Sequence, residues 1–104
     1  MNNVFEELFA VIESRKDSDA SESYVAKLHD MGLNKILEKI GEESTEVIIA
    51  AKDGDQSEVI KEVADLWFHS LVLLSNLGID QAEVQAELAN RFGTSGLVEK
   101  ANRH

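Results

Sequence analysis

Leu33-Asn34-Lys35-Ile36-Leu37-Glu38-Lys39-Ile40-Gly41-Glu42-Glu43-Ser44-Thr45-Glu46-Val47-Ile48-Ile49-Ala50-Ala51-Lys52 carries the period of a helix and none of the alternation of a strand. On a wheel of about 100° per residue, Leu33, Ile36, Ile40, Val47 and Ala51 form one apolar stripe. Glu43 falls inside that stripe, between Ile40 and Val47, with Glu46 and Lys39 on one edge and Glu42 farther round. A charge in a core stripe is costly unless it is paired or holds a metal. The stretch therefore sets both the fold class and the first question about function.

Working outward, Asp53-Gly54 breaks the helix, and Asp55 with Glu58 forms a D-x-x-E capping signature for a fourth one. That helix extends to about Leu77, with Gly78 as its stop. Val59, Val63, Leu66, Ser70 and Leu77 define its stripe. Glu62 and His69 lie on one edge, with Asp65 and Asn76 slightly beyond. Two long helices joined by so short a loop pack antiparallel, so their acidic edges can converge. Upstream, Val4, Phe5, Leu8, Phe9, Val11 and Ile12 predict a helix from about Val4 to Lys16, with Asn3 as N-cap. After a polar loop at Asp17 to Ser21, Val25 and Leu28 mark a short helix from about Ser23 to Met31, ended by Gly32. Asp80 and Glu83 start a fifth helix running to about Phe92 and stopped by Gly93; Thr94 to His104 is a tail with one more short turn from Gly96. The expectation is an all-α helical bundle of about five helices, forming a single domain over residues 1–104.

Composition narrows the function. The apolar fraction of 43% and charged fraction of 29% are those of a globular protein. A net charge of −10 argues against binding bare nucleic acid, which needs a basic face. The absence of cysteine excludes disulfides, thiolate metal sites and cysteine nucleophiles. There is no signal-peptide pattern and no apolar run approaching 18 residues, so no membrane partner is expected and a cytoplasmic location is. Phosphate-binding loops of the P-loop and Rossmann types are missing, as is the G-x-S-x-G nucleophile elbow.

What remains is the pair of acidic clusters, Glu42-Glu43-Ser44-Thr45-Glu46 and Glu62-Val63-Ala64-Asp65. Carboxylates three residues apart share a helix face and weaken it by roughly 0.2–0.5 kcal/mol per pair. A cation between the two helices would turn that cost into a site made by Glu43, Glu46, Glu62 and Asp65. All-oxygen ligands favour Mg²⁺, or Mn²⁺, over Zn²⁺. A di-iron bundle would want Glu-x-x-His on two helices, and the second motif here is Glu-x-x-Asp. The bland alternative is a solvated acidic stripe with Glu43 paired to a lysine, and spacing alone leaves both open. Lys35 and Lys39, one turn apart beside Glu43, could hold an anion or simply pair with neighbouring glutamates. His69 is more often a core or supporting histidine than a ligand, and Trp67 and Phe68 most simply serve packing.

These residues resemble a known family. Glu42-Glu43-x-x-Glu46 followed by Glu62-x-x-Asp65 is similar to the signature of the MazG-like all-α nucleotide pyrophosphatases. Within that superfamily three segments resemble the phosphoribosyl-ATP pyrophosphatase (HisE) family: the lead-in Lys35 to Glu43, the stretch Ser23-Tyr24-Val25-Ala26-Lys27-Leu28, and Glu62-Val63-Ala64-Asp65-Leu66-Trp67-Phe68-His69. The tail Gly93-Thr94-Ser95-Gly96-Leu97-Val98-Glu99-Lys100 does so too. Lacking cysteines for a cyclohydrolase zinc site, the chain resembles the stand-alone form. The resemblance implies Mg²⁺-dependent hydrolysis of phosphoribosyl-ATP to phosphoribosyl-AMP and pyrophosphate, the second step of histidine biosynthesis. It implies metal ligation by Glu43, Glu46, Glu62 and Asp65, and phosphate contacts from Lys35 and Lys39. Lys52, Arg15 and Lys100 are further candidates for the substrate's anionic ends. Glu42, with Glu43, is placed in the catalytic group, as a second-metal ligand or as the base that orients water. A homodimer or higher homo-oligomer is also implied. The alternatives are a MazG-like enzyme acting on dUTP or other nucleoside triphosphates, and a non-catalytic helical interaction module.

Overall fold

The structure, a computed structural model, describes residues 3–92. The tail expected from Gly93 onward, Lys100 included, lies outside the described residues. Five helices follow in order: α1 (Val4–Arg15), α2 (Tyr24–Met31), α3 (Leu33–Lys52), α4 (Gln56–Leu77) and α5 (Gln81–Asn90). Among the described residues there is no strand, and no helix is long and apolar enough to cross a membrane. Helix ends fall where short polar side chains can satisfy free backbone N–H groups. Asn3, Ser23, Asp55 and Asp80 accept from the backbone N–H of Glu6, Ala26, Glu58 and Ala82 respectively. Ser23 and Lys16 thus act as caps rather than helical residues, and α5 stops at Asn90, two residues short of the expected end.

Helices α3 and α4 form an antiparallel hairpin with the most extensive packing in the molecule. The turn between them works because Gly54 takes φ +72°, a left-handed conformation that a side chain disfavours. The backbone N–H of Asp55 then reaches back to the Ala50 carbonyl at 3.2 Å. The core sits at one end of this hairpin. Ile36, Leu71 and Val72 meet Ile12 of α1 and Val25 and Leu28 of α2, with Phe5, Leu8, Phe9, Ile40 and Phe68 packed against them. Val4 and Val11, placed on the α1 stripe by the wheel, are exposed instead.

The stripes of the long helices are also rotated from expectation. The buried positions of α3 are Ile36, Glu43 and Ala50, spaced by seven, so Ala50 rather than Ala51 faces inward. On α4 they are His69, Leu71, Val72 and Ser75, and Leu77 is exposed. Two packed helices keep a seam of period 3.5, and a straight 3.6-period wheel drifts off it by about 20° per heptad. On that seam the middle of the hairpin is polar: Glu43 and Glu46 on α3, Glu62, Asp65 and His69 on α4. Beyond it lies the hairpin tip, where, among the described residues, Ile48, Ile49 and Ile60 are exposed.

Candidate functional site

At the middle of the hairpin, Glu43, Glu62 and Asp65 each present a carboxylate oxygen, and these three atoms lie within 4.8 Å of one another. Glu46, one turn on from Glu43, lies near Glu43 and Glu62, but it is exposed and is not one of the three converging carboxylates. Glu43 retains only 7% of its exposure. Its Oε2 and that of Glu62 are buried and receive no hydrogen bond. A buried acceptor without a donor costs free energy, so this arrangement needs a positive partner. Lys39 is a poor one. Its ammonium lies 3.1 Å from Glu42 and 4.0 Å from Glu43, so its short contact is to the more exposed residue. The expected pairing of Lys39 with both glutamates is thus present, but at 4.0 Å its link to Glu43 is the longer of the two and leaves Glu43 Oε2 without a partner.

The electrostatics show the same deficit of positive charge. Glu46 beside Glu62, then burial and Glu43, pushes the Glu62 carboxyl up to about 7. Burial, chiefly, raises Glu43 as well. Glu46 is held low, because Glu62 and then Glu43 can share a proton with it. Crowded like charges of this kind favour retention of one proton in the cluster when no cation is present. A divalent cation would replace that proton and supply the missing partner of both buried oxygens. The donor set, all carboxylate oxygen, fits a hard divalent ion.

Two further side chains belong to this neighbourhood: His69, read from the sequence as a core or supporting histidine, and Tyr24, whose part here the sequence did not indicate. His69, 4% exposed, sits one turn beyond Asp65 on the α4 seam. Its Nδ1 is 2.7 Å from the Asp65 backbone carbonyl. Its Nε2 is 2.8 Å from the hydroxyl of Tyr24, the first residue of α2. The signal available in the sequence was a histidine on an acidic seam edge, which reads equally well as packing.

The other candidates are more scattered. Lys35 is half-buried and 3.4 Å from Glu38, one turn before Lys39. Lys52 closes α3, nine residues and about 13.5 Å of helix rise past Glu43. Arg15 ends α1, near Ser75, whose carbonyl accepts from the Lys16 ammonium at 2.8 Å. Neither Lys52 nor Arg15 is brought to the carboxylates within one chain. From the cluster a groove of about 320 Å³ runs toward the hairpin tip between Glu46, Asp53, Asp55, Glu58 and Glu62.

A sequence-family model for phosphoribosyl-ATP pyrophosphohydrolase matches residues 5–92, a span that reaches from α1 past the end of α5. The chain belongs to that family. The phosphoribosyl-ATP pyrophosphohydrolases are hydrolases of histidine biosynthesis, and the carboxylate hairpin is to be understood within that activity. The family expected from the resemblance is thereby met, as the all-α fold expected from the helical periodicity is met by the five helices. Membership sets aside the interaction module, and phosphoribosyl-ATP takes precedence over dUTP as the substrate.

Proposed function

We propose that Glu43, Glu46, Glu62 and Asp65 hold Mg²⁺, with Mn²⁺ able to replace it, and that this site binds the triphosphate of phosphoribosyl-ATP. The observation that carries this reading is the pair of buried Oε2 atoms, on Glu43 and Glu62, without a hydrogen-bond partner, on residues that with Asp65 each bring one carboxylate oxygen within 4.8 Å of the others. When bound, the ion supplies positive charge to the triphosphate and to the departing pyrophosphate. The chain does the rest. Lys39 and Lys35 hold phosphate oxygens as mobile point charges. Glu42, which is paired with Lys39 at 3.1 Å, becomes free to orient water and accept its proton when Lys39 turns to phosphate, or to bind a second ion. Lys52 and Arg15 stay candidates for the far phosphate only if a second copy brings them to the site.

A homo-oligomer is part of this proposal. The radius of gyration is 15.8 Å, against about 13 Å for a compact domain of this length. At the hairpin tip Ile48 and Ile60 are 63% and 71% exposed. A second chain packed along the tip would cover them.

Pyrophosphate release from phosphoribosyl-ATP, ATP and dUTP, with Mg²⁺ and with chelator, tests the reading. Release from phosphoribosyl-ATP alone, abolished by chelator and reduced at least about a hundredfold by Glu43→Gln with helical content retained, is expected. Full activity in chelator or in Glu43→Gln contradicts the proposed site.

A further inference from the structure

We propose that Tyr24 is a substrate-contacting residue at the nucleoside end of the site, held in place by buried His69 acting as a positioning residue. The proposal rests on the carboxylate site described above. Both nitrogens of the His69 ring are committed. The Asp65 carbonyl can only accept, so Nδ1, 2.7 Å away, carries the proton. In that tautomer Nε2 accepts, and the Tyr24 hydroxyl 2.8 Å away donates to it. Phe68 packs against the Tyr24 ring, with centroids 6.0 Å apart and planes inclined by 20°. A residue at the start of α2 is thus fixed to the middle of α4, although 48% of it is exposed. Fixing a side chain so firmly while leaving it half open suits a binding surface better than a core contact.

Its position gives the surface a purpose. On one side, Tyr24 lies within electrostatic reach of Lys39, Glu43, Asp65 and Glu42. On the other, it lines a groove of about 610 Å³ with Ser21, Ser23, Lys27, Asp30 and Met31. A substrate anchored by its triphosphate at the carboxylates still has a purine and two ribosyl groups to place. They would pass over Tyr24 into this groove. The open part of the ring suits stacking of a purine or the apolar face of a sugar. The hydroxyl proton is already given to His69, so the phenolic oxygen offers only lone pairs. In that arrangement it would accept from a ribose hydroxyl and have no proton for a phosphate, which favours the ribosyl end of the substrate there. Lys27, farther along, provides a cation for the terminal phosphate.

Steady-state kinetics on phosphoribosyl-ATP, with Mn²⁺ binding followed by electron paramagnetic resonance, test this in Tyr24→Phe, Tyr24→Leu, His69→Gln and the Tyr24→Phe/His69→Gln double variant. Tyr24→Leu should raise KM about tenfold, with kcat within about twofold. Tyr24→Phe and His69→Gln should each raise KM severalfold. The double variant should be no worse than the more impaired single, because both remove the Tyr24–His69 hydrogen bond. Mn²⁺ affinity should be unchanged throughout. Unchanged KM in folded Tyr24→Leu overturns the proposal, as do additive effects or loss of Mn²⁺ binding together with kcat. If His69→Gln fails to fold, the Phe and Leu variants of Tyr24 decide by KM alone. Wild-type protein that binds no Mn²⁺ fails the carboxylate site itself, a different result from normal Mn²⁺ binding with unchanged KM.

Discussion

Glu43 was legible from sequence because a glutamate in an apolar stripe is out of place whatever the fold. Its partners were legible in type but not in arrangement. Glu62 and Asp65 converge on it, while Lys39, which the wheel puts beside it, spends its short contact on Glu42. Tyr24 and His69 were less legible, since their link joins residues 45 positions apart and nothing local announces it. The raised Glu62 carboxyl makes a prediction at this scale. Its folded value of about 7 exceeds the ordinary 4.5, so between those values the folded state binds more protons than the unfolded one. Stability without metal therefore falls as pH rises from about 5 to 8. Melting curves should show that fall, with a smaller slope in Glu62→Gln. Mg²⁺ should raise Tm more at pH 8 than at pH 5. An equal Mg²⁺ effect at both values would show that the ion does not compete with this proton.

Element by element, the five helices followed from local chemistry, and the caps Asn3, Asp55 and Asp80 were readable because each satisfies a backbone N–H within three residues, while Ser23, read as helical, is a fourth cap. The facing surfaces followed less well. Ala51 and Leu77 were assigned inward by a straight wheel, yet the hairpin buries Ala50 and exposes Leu77, since paired helices follow a seven-residue seam that one helix alone does not reveal. Gly41 offers a test of α3 as an element. It lies inside the helix, and a Cβ there would meet nothing within 4 Å. Glycine is less favourable than alanine in a helix interior by about 0.8–1.0 kcal/mol. Gly41→Ala should raise Tm by about 4 °C. A lower Tm would mean that another surface, such as a second chain, already packs against this position.

At the level of the whole molecule, the carboxylates sit where the hairpin passes from its covered half to its exposed half. The core end was readable from the apolar residues of α1 and α2. The purpose of the exposed tip was not, because a partner surface and a solvated face look alike in one sequence. Ile48→Glu with Ile60→Glu should convert the oligomer to a monomer in sedimentation velocity; a wild-type protein that already sediments as a monomer contradicts the expected assembly. A chain of net charge −10 also attracts cations diffusely, so the ion site must be separated from its background. Calorimetric titration of Mg²⁺ into wild type, Glu43→Gln and the distant charge-matched Glu83→Gln on α5 makes that separation. Wild type and Glu83→Gln should bind alike, with Glu43→Gln at least about tenfold weaker; equal binding by all three would contradict a site built on Glu43.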